Sequence, residues 1–194
     1  VRDADVVMEN YTPRVMDKFG LGFETLREIK PDIIMISLGG FGSDVTWRDY
    51  TAFGMSTEQM SGLAHLTGYE GDGPLFTGAT GGDIYSGVMG AHVLLAALHE
   101  RRASGNGQHI NLSQMEACNL YVGDAMTGLS LAGVDPGRVG NKHTLFAPQG
   151  IYPCLADRWI GISCRTNDEW LRLTNLIDPE LATRFPDVET RQQK

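Results

Sequence analysis

The chain has 194 residues, of which 24 are acidic and 16 basic, and its formal net charge of −8 argues against a protein that grips nucleic acid through a broad basic face. An apolar share of 42% is that of an ordinary globular domain and excludes disorder throughout. Three cysteines without close spacing, Cys118, Cys154 and Cys164, do not form a disulfide framework and fit reduced thiols in a cytoplasmic protein. No apolar run reaches the roughly 18 residues that a membrane span needs.

The first apolar run, DVVMEN, has strand length, and PRVMDKFG after it has the Pro-to-Gly frame of a short helix. GFETLREIKPD reads as a second short helix with Phe23, Leu26 and Ile29 on one side, stopped before Pro31. DIIMISLGG is a continuous apolar strand that ends in glycines, the pattern of a parallel strand covered on both faces. STEQMSGLAHLTG predicts one helix capped by Ser56 or Thr57, with Met60, Leu63 and Ala64 facing inward. A glycine-rich loop, His65 to Asp83, leads into a long helix, apolar nearly all round until Arg101 and Arg102. QHINLSQMEA predicts a strand, His109–Leu112, and then a helix with a capping box of Ser113 and Glu116. Residues 132–147 lack periodicity and read as a long connection, followed by a hairpin over 149–164 and a helix over 166–177. The ending, DVETRQQK, offers no closing element, and the chain opens on Val1 in the middle of an α/β pattern, so an internal piece of a longer chain is expected. Alternating strands and helices over the first part indicate parallel α/β, with a domain boundary within 132–149.

The chain contains no phosphate-binding loop, no dinucleotide fingerprint, no Gly-x-Ser-x-Gly elbow and no His-Glu-x-x-His. His92 and His99 share a helix face without a third ligand near in sequence, so they read as polar relief on a packed helix, and no metal is expected. Two aspartates stand out in the glycine-rich loop. Asp72, in Gly71-Asp72-Gly73-Pro74, is on its own an ordinary turn residue. Asp83 opens the long helix, where a carboxylate caps free N–H groups and meets the positive end of the helix dipole.

Taken together and in this order, VVMENYTPRVMDKFGLGFETLREIKPDIIMISLGGFG, SGLAHLTGYEGDGP and GDIYSGVMGAHVLLAALHERRASGNGQHINLSQMEA resemble the class III CoA-transferase family, the CaiB–BaiF group. That group also includes α-methylacyl-CoA racemases. The resemblance runs from about Asp5 into the helix after the hairpin. It implies a Rossmann-like α/β large domain, of which 1–140 would be part, and a linker and start of a smaller α+β domain over 141–194. It further implies an interlocked homodimer, acyl-CoA and a small carboxylic acid as partners, coenzyme A as substrate, and neither nucleic acid nor membrane.

The implied chemistry is attack of an enzyme carboxylate on an acyl-CoA thioester, through an anhydride and an enzyme-bound CoA thioester. The family's TG-x-x-DGPP-like stretch corresponds to TGYEGDGPL here and marks Asp72 as the nucleophile. A carboxylate is ionised at neutral pH and needs no general base, but it depends on positioning and on donors at the oxyanion. Tyr69-Glu70-Gly71 is one residue longer than the usual spacing, which keeps Glu70 as a substitute candidate. In the racemase branch an Asp matching Asp83 works with a His, and the His position falls here near Phe53, which carries no exchangeable proton. A non-catalytic CoA-binding partner subunit or an inactive fragment is the remaining alternative. By the same resemblance Asn10, Tyr11, Lys18, Phe19, Gly40 and Phe41 are CoA contacts, with Arg14 as a substitute for an arginine that many members have at Thr12. A ligand at the end of the second strand, Gly39–Phe41, also suits an open α/β sheet.

Overall fold

The computed structural model describes residues 1–193, which fall into two compact units: 1–67 with 74–137, and 68–73 with the chain from Arg138 onward. The first unit is built on three parallel strands, β1 (Val6–Glu9), β2 (Ile34–Ser37) and β3 (Gln108–Asn111), in the order β1-β2-β3. Val6 pairs with Ile34 and Ile34 with Gln108, so all three strands end at the same level. Central β2 is sealed on both faces: Ile34 and Ile36 on one side and Met35 on the other are buried, as the unbroken apolar run predicts. Leu26, Ile33 and Met35 form a buried core cluster, against which Val7, Met16 and Phe23 pack. Ile29 does not follow Leu26 inward and stays exposed.

Between β1 and β2 run α1 (Val15–Lys18) and α2 (Phe23–Ile29). Between β2 and β3 run α3 (Gly54–Met60), α4 (Leu63–Leu66) and the 24-residue α5 (Gly81–Ser104). After β3 come α6 (Gln114–Asn119) and α7 (Gly123–Ala132), the second of which no sequence signal marked. Among the described residues no helix is long and apolar enough to cross a membrane.

Three local expectations are corrected. The single helix expected from Ser56 is two, because Gly62 turns left-handed (φ 86°) and ends the first. That first helix starts at Gly54, ahead of both proposed caps, and it turns Thr57 and Glu58 inward while Met60 is exposed. Ser113 accepts the Glu116 N–H at 3.2 Å, but only this half of the capping box forms.

The second unit holds the antiparallel hairpin β4 (Gln149–Pro153) and β5 (Trp159–Ser163), with Gln149 opposite Ser163. It continues through α8 (Asn167–Ile177), α9 (Glu180–Arg184) and α10 (Val188–Gln192). The sequence marked neither of the last two. They are too short for a periodic signal, and α10 is held by its start: Asp187 accepts the Thr190 N–H at 2.9 Å.

Candidate functional site

The carboxyl ends of the three strands face a cleft of about 280 Å³ in the first unit. Its floor is apolar, from Met16, Phe23 and Met35, and its walls carry Tyr11, Arg14, Ser37, Arg48, His109 and Asn111. His109 stacks on Phe23 with ring centroids 5.3 Å apart, and its Nε2 lies 2.9 Å from the Ser37 hydroxyl. The Asn111 side chain accepts the Ser43 N–H at 3.2 Å, which ties the loop after β2 to the end of β3. Asp49 lies 3.4 Å from Arg14 and 3.8 Å from Arg48. Placement at the strand ends follows from parallel topology, where loops open a crevice beyond the sheet.

Of the six residues expected to touch CoA, Tyr11 lines this cleft. Asn10 is exposed beside it in sequence. Lys18 and Phe19 close α1 and are exposed, outside the cleft lining. Gly40 packs against Ala52, whose methyl lies 2.7 Å from where a Cβ on Gly40 would stand. Phe41 is buried and meets the Trp47 ring edge-on at 6.0 Å, which makes it a core residue. Arg48, Ser37 and His109 were not singled out from the sequence: Arg48 sits in an irregular loop, and the other two meet only across paired strands.

The two aspartates lie in different units. Asp72 belongs to the second, on an exposed turn in which its N–H donates to Tyr69 O at 3.1 Å. Its backbone carbonyl accepts Arg138 Nε at 3.0 Å. Glu70 nearby pairs with Lys142 Nζ at 3.3 Å, both largely exposed. Gly71 and Gly73 have open space around them, with nothing within 4 Å of an added Cβ.

Asp83 lies in the first unit, in the first turn of α5, and is exposed. Its carboxylate covers Gly54 at the start of α3: a Cβ on Gly54 would stand 2.8 Å from Asp83 Oδ2 and 3.0 Å from Oδ1. One residue before it, Gly82 lets the helices touch through backbone. A Cβ there would collide with the Thr57 hydroxyl and would come within 2.7 Å of the Gly54 carbonyl. The expected capping role is corrected: α5 begins behind Thr80 without a side-chain cap hydrogen bond. Cys118, fully buried under this crossing, is pushed above the usual thiol range by burial first and then by the charges of Glu58 and Asp83. It therefore stays a neutral thiol at neutral pH.

Comparison with known proteins agrees with this architecture. The model of CoA-transferase family III matches residues 1–194, the whole chain. Acetyl-CoA:oxalate CoA-transferase of Acetobacter aceti is 34% identical across all of this chain and half of its own length. Succinyl-CoA--D-citramalate CoA-transferase of Chloroflexus aurantiacus is 33% identical over 98% of this chain and 48% of its own. A crystal structure of a CaiB/BaiF family protein from Brucella suis superposes with a TM-score of 0.89 at 29% identity, covering 98% of this chain and 51% of that one. A Mycobacterium tuberculosis protein, 22% identical with a TM-score of 0.83 over all of this chain and 51% of its own, shares the fold. The chain thus spans about half the length of the relatives it matches. With the parallel sheet, its strand-end cleft and an end-to-end family match in agreement, the chain belongs to CoA-transferase family III.

Proposed function

We propose that this chain carries the nucleophile of a CoA-transferase that moves coenzyme A from an acyl-CoA to a carboxylic acid, and that the nucleophile is Asp83. The observation that carries this reading is the seat of Asp83. Its carboxylate, though exposed, lies against Gly54 where the backbones of α3 and α5 meet, in the same unit as the strand-end cleft. A carboxylate is a weak nucleophile, so its reactivity depends on being held in place. Both aspartates are exposed, but Asp72 stands on an open turn between unencumbered glycines, whereas Asp83 abuts Gly54 of a neighbouring helix.

In the proposed cycle Asp83 attacks the thioester carbonyl, the C–S bond breaks, and a mixed anhydride and CoA thiolate form. The thiolate attacks the aspartyl carbonyl, releasing the donor acid and leaving an aspartyl-CoA thioester. The acceptor carboxylate displaces the thiolate to give a second anhydride, and the thiolate then takes the new acyl group and frees Asp83. In this reading the cleft receives the CoA arm, with Arg14 and Arg48 turning from Asp49 to phosphate while the carboxylates of Glu9, Asp17 and Asp44 line the same cleft. The relatives' names point to short dicarboxylic acids as acceptors, with succinyl-CoA or acetyl-CoA as donor, and we carry that substrate class to this chain. Racemisation needs a second proton carrier opposite Asp83, and Phe53, in the place where the histidine is expected, has none.

The test is variant kinetics in the full-length protein with succinyl-CoA and a panel of short diacids. Asp83→Ala is expected to lower transfer by at least about 1,000-fold, while Asp72→Ala stays within about threefold. Hydroxylamine added during turnover should label Asp83. Labelling at Asp72, with Asp83→Ala still active, would move the nucleophile to the exposed turn. Deuterium incorporation at the α-carbon without an acceptor acid would favour racemisation.

A further inference from the structure

The residue that fixes the approach to Asp83 is Glu58, which no motif marks. Glu58 sits in α3 and is fully buried. Both of its oxygens are taken by one residue of the glycine-rich loop: Oε1 accepts the Thr77 N–H at 2.6 Å and Oε2 accepts the Thr77 hydroxyl at 3.1 Å. Burying a carboxylate is expensive, and an apolar side chain would pack two helices together at less cost. What Glu58 adds is a grip on a segment with little else to hold it, since every residue from Gly71 to Thr80 is exposed. That segment also enters α5 through an unfavourable backbone. Gly78 (φ 80°) and Thr80 (φ 48°) are both left-handed, and a β-branched residue persists there only when its surroundings enforce it. The grip sits against the helix start itself: a Cβ on Gly81 would lie 2.9 Å from Thr77 Oγ1 and 3.3 Å from Glu58 Oε2.

We propose that Glu58 is a positioning residue for the transfer reaction. By holding Thr77 it sets the entry of α5, and so the place of the Asp83 carboxylate over Gly54. α3 then fixes the nucleophile from two sides, through Gly54 under the carboxylate and through Glu58 behind the loop that leads to it. The inference rests on Asp83 being the nucleophile.

The experiment uses the full-length protein with Glu58→Ala, Glu58→Gln, Thr77→Val and Asp83→Ala. Loss of the grip should lower kcat by about 10- to 100-fold, with KM for the acyl-CoA within about twofold, because positioning is lost and binding is not. The yield of hydroxylamine label at Asp83 should fall in parallel. Glu58→Gln should recover most of the rate: its amide oxygen accepts the Thr77 N–H and its NH₂ group donates to the hydroxyl. Hydrogen exchange should show the Thr77 amide opening in Glu58→Ala while the body of α5 stays protected. If Glu58→Ala does not fold, Thr77→Val, which keeps the side-chain shape, carries the test. Rates within twofold in both variants, or a glutamine variant as slow as the alanine one, would overturn the proposal. Should those rates be unchanged while Asp83→Ala is dead, only the role of Glu58 falls. If Asp83→Ala remains active, the nucleophile assignment falls, and the role of Glu58 falls with it.

Discussion

Gly82 lies in the first turn of α5 and Gly87 in its interior, and replacing them by alanine should have opposite effects. At Gly82 the new methyl would collide with the Thr57 hydroxyl and approach the Gly54 carbonyl at 2.7 Å, and a backbone neighbour cannot rotate away. Forcing α3 and α5 apart should cost about 1–3 kcal/mol, as overpacking does. Gly87 has nothing within 4 Å, so Gly87→Ala should gain about 0.5–1 kcal/mol of helix propensity. Thermal melts of the two variants check this, and a Gly82→Ala melt as high as that of Gly87→Ala would refute the backbone contact between the helices. The sequence displays these glycines but not their purpose. Gly82 reads only as the glycine that opens the long helix, because the group that requires it, Thr57, comes from another helix. For the same reason the DGP turn around Asp72 drew attention in the sequence while the seat of Asp83 did not. A turn is a local pattern, whereas a seat is made by two segments meeting.

At the scale of elements, α8 was legible in its extent, with its cap left between Thr166 and Asn167. TNDEW announces its start, and the structure has Thr166 accepting the Glu169 N–H at 3.2 Å while Glu169 Oε2 accepts from Arg165 N–H at 2.6 Å and Thr166 N–H at 3.2 Å. Those two backbone donors, Arg165 first, hold the Glu169 carboxyl below its ordinary range. With the folded value depressed, the unfolded chain binds the proton more readily. The cap's charge-dependent contribution is therefore complete above the ordinary glutamate value of about 4.3 and is lost as pH falls through the lower folded value. Glu169→Gln should flatten the acid limb of stability below the ordinary glutamate value, and denaturant midpoints measured from neutral pH downward check it. Thr166→Ala should cost about 1 kcal/mol near neutral pH. An acid limb for Glu169→Gln as steep as the parent's would sink the account. The α3–α4 region was misread in part because its inward face carries Thr57 and Glu58, both polar. A rule that looks for apolar residues at helical spacing turns such a helix the wrong way.

Across the first unit as a whole, Arg101 illustrates what a linear reading leaves out. On the chain it is a cation in the last turn of a long helix, suited to the dipole. In the fold its guanidinium donates to the Asp5 carbonyl at 3.2 Å, the Asp5 carboxylate at 2.8 Å and the Asp32 carbonyl at 3.2 Å, with only 16% of the side chain exposed. Asp5 and Asp32 lie just before β1 and β2, so one side chain joins the entry ends of two strands to the end of α5. The planar fork matters, because a lysine ammonium on a flexible stem cannot reach three oxygens set this far apart in one fixed plane. Arg101→Ala should cost about 2 kcal/mol, since two backbone carbonyls and a carboxylate lose a charged donor, and Arg101→Lys should restore less than half of that. The cleft opens at the other end of the strands, so kcat and KM for transfer should hold for either variant under conditions where it remains folded. Denaturant unfolding paired with steady-state kinetics separates the two effects. An unchanged midpoint in Arg101→Ala would mean the strands are registered without the clamp, and a shifted KM would mean that the two ends of the sheet are coupled through the body of the unit.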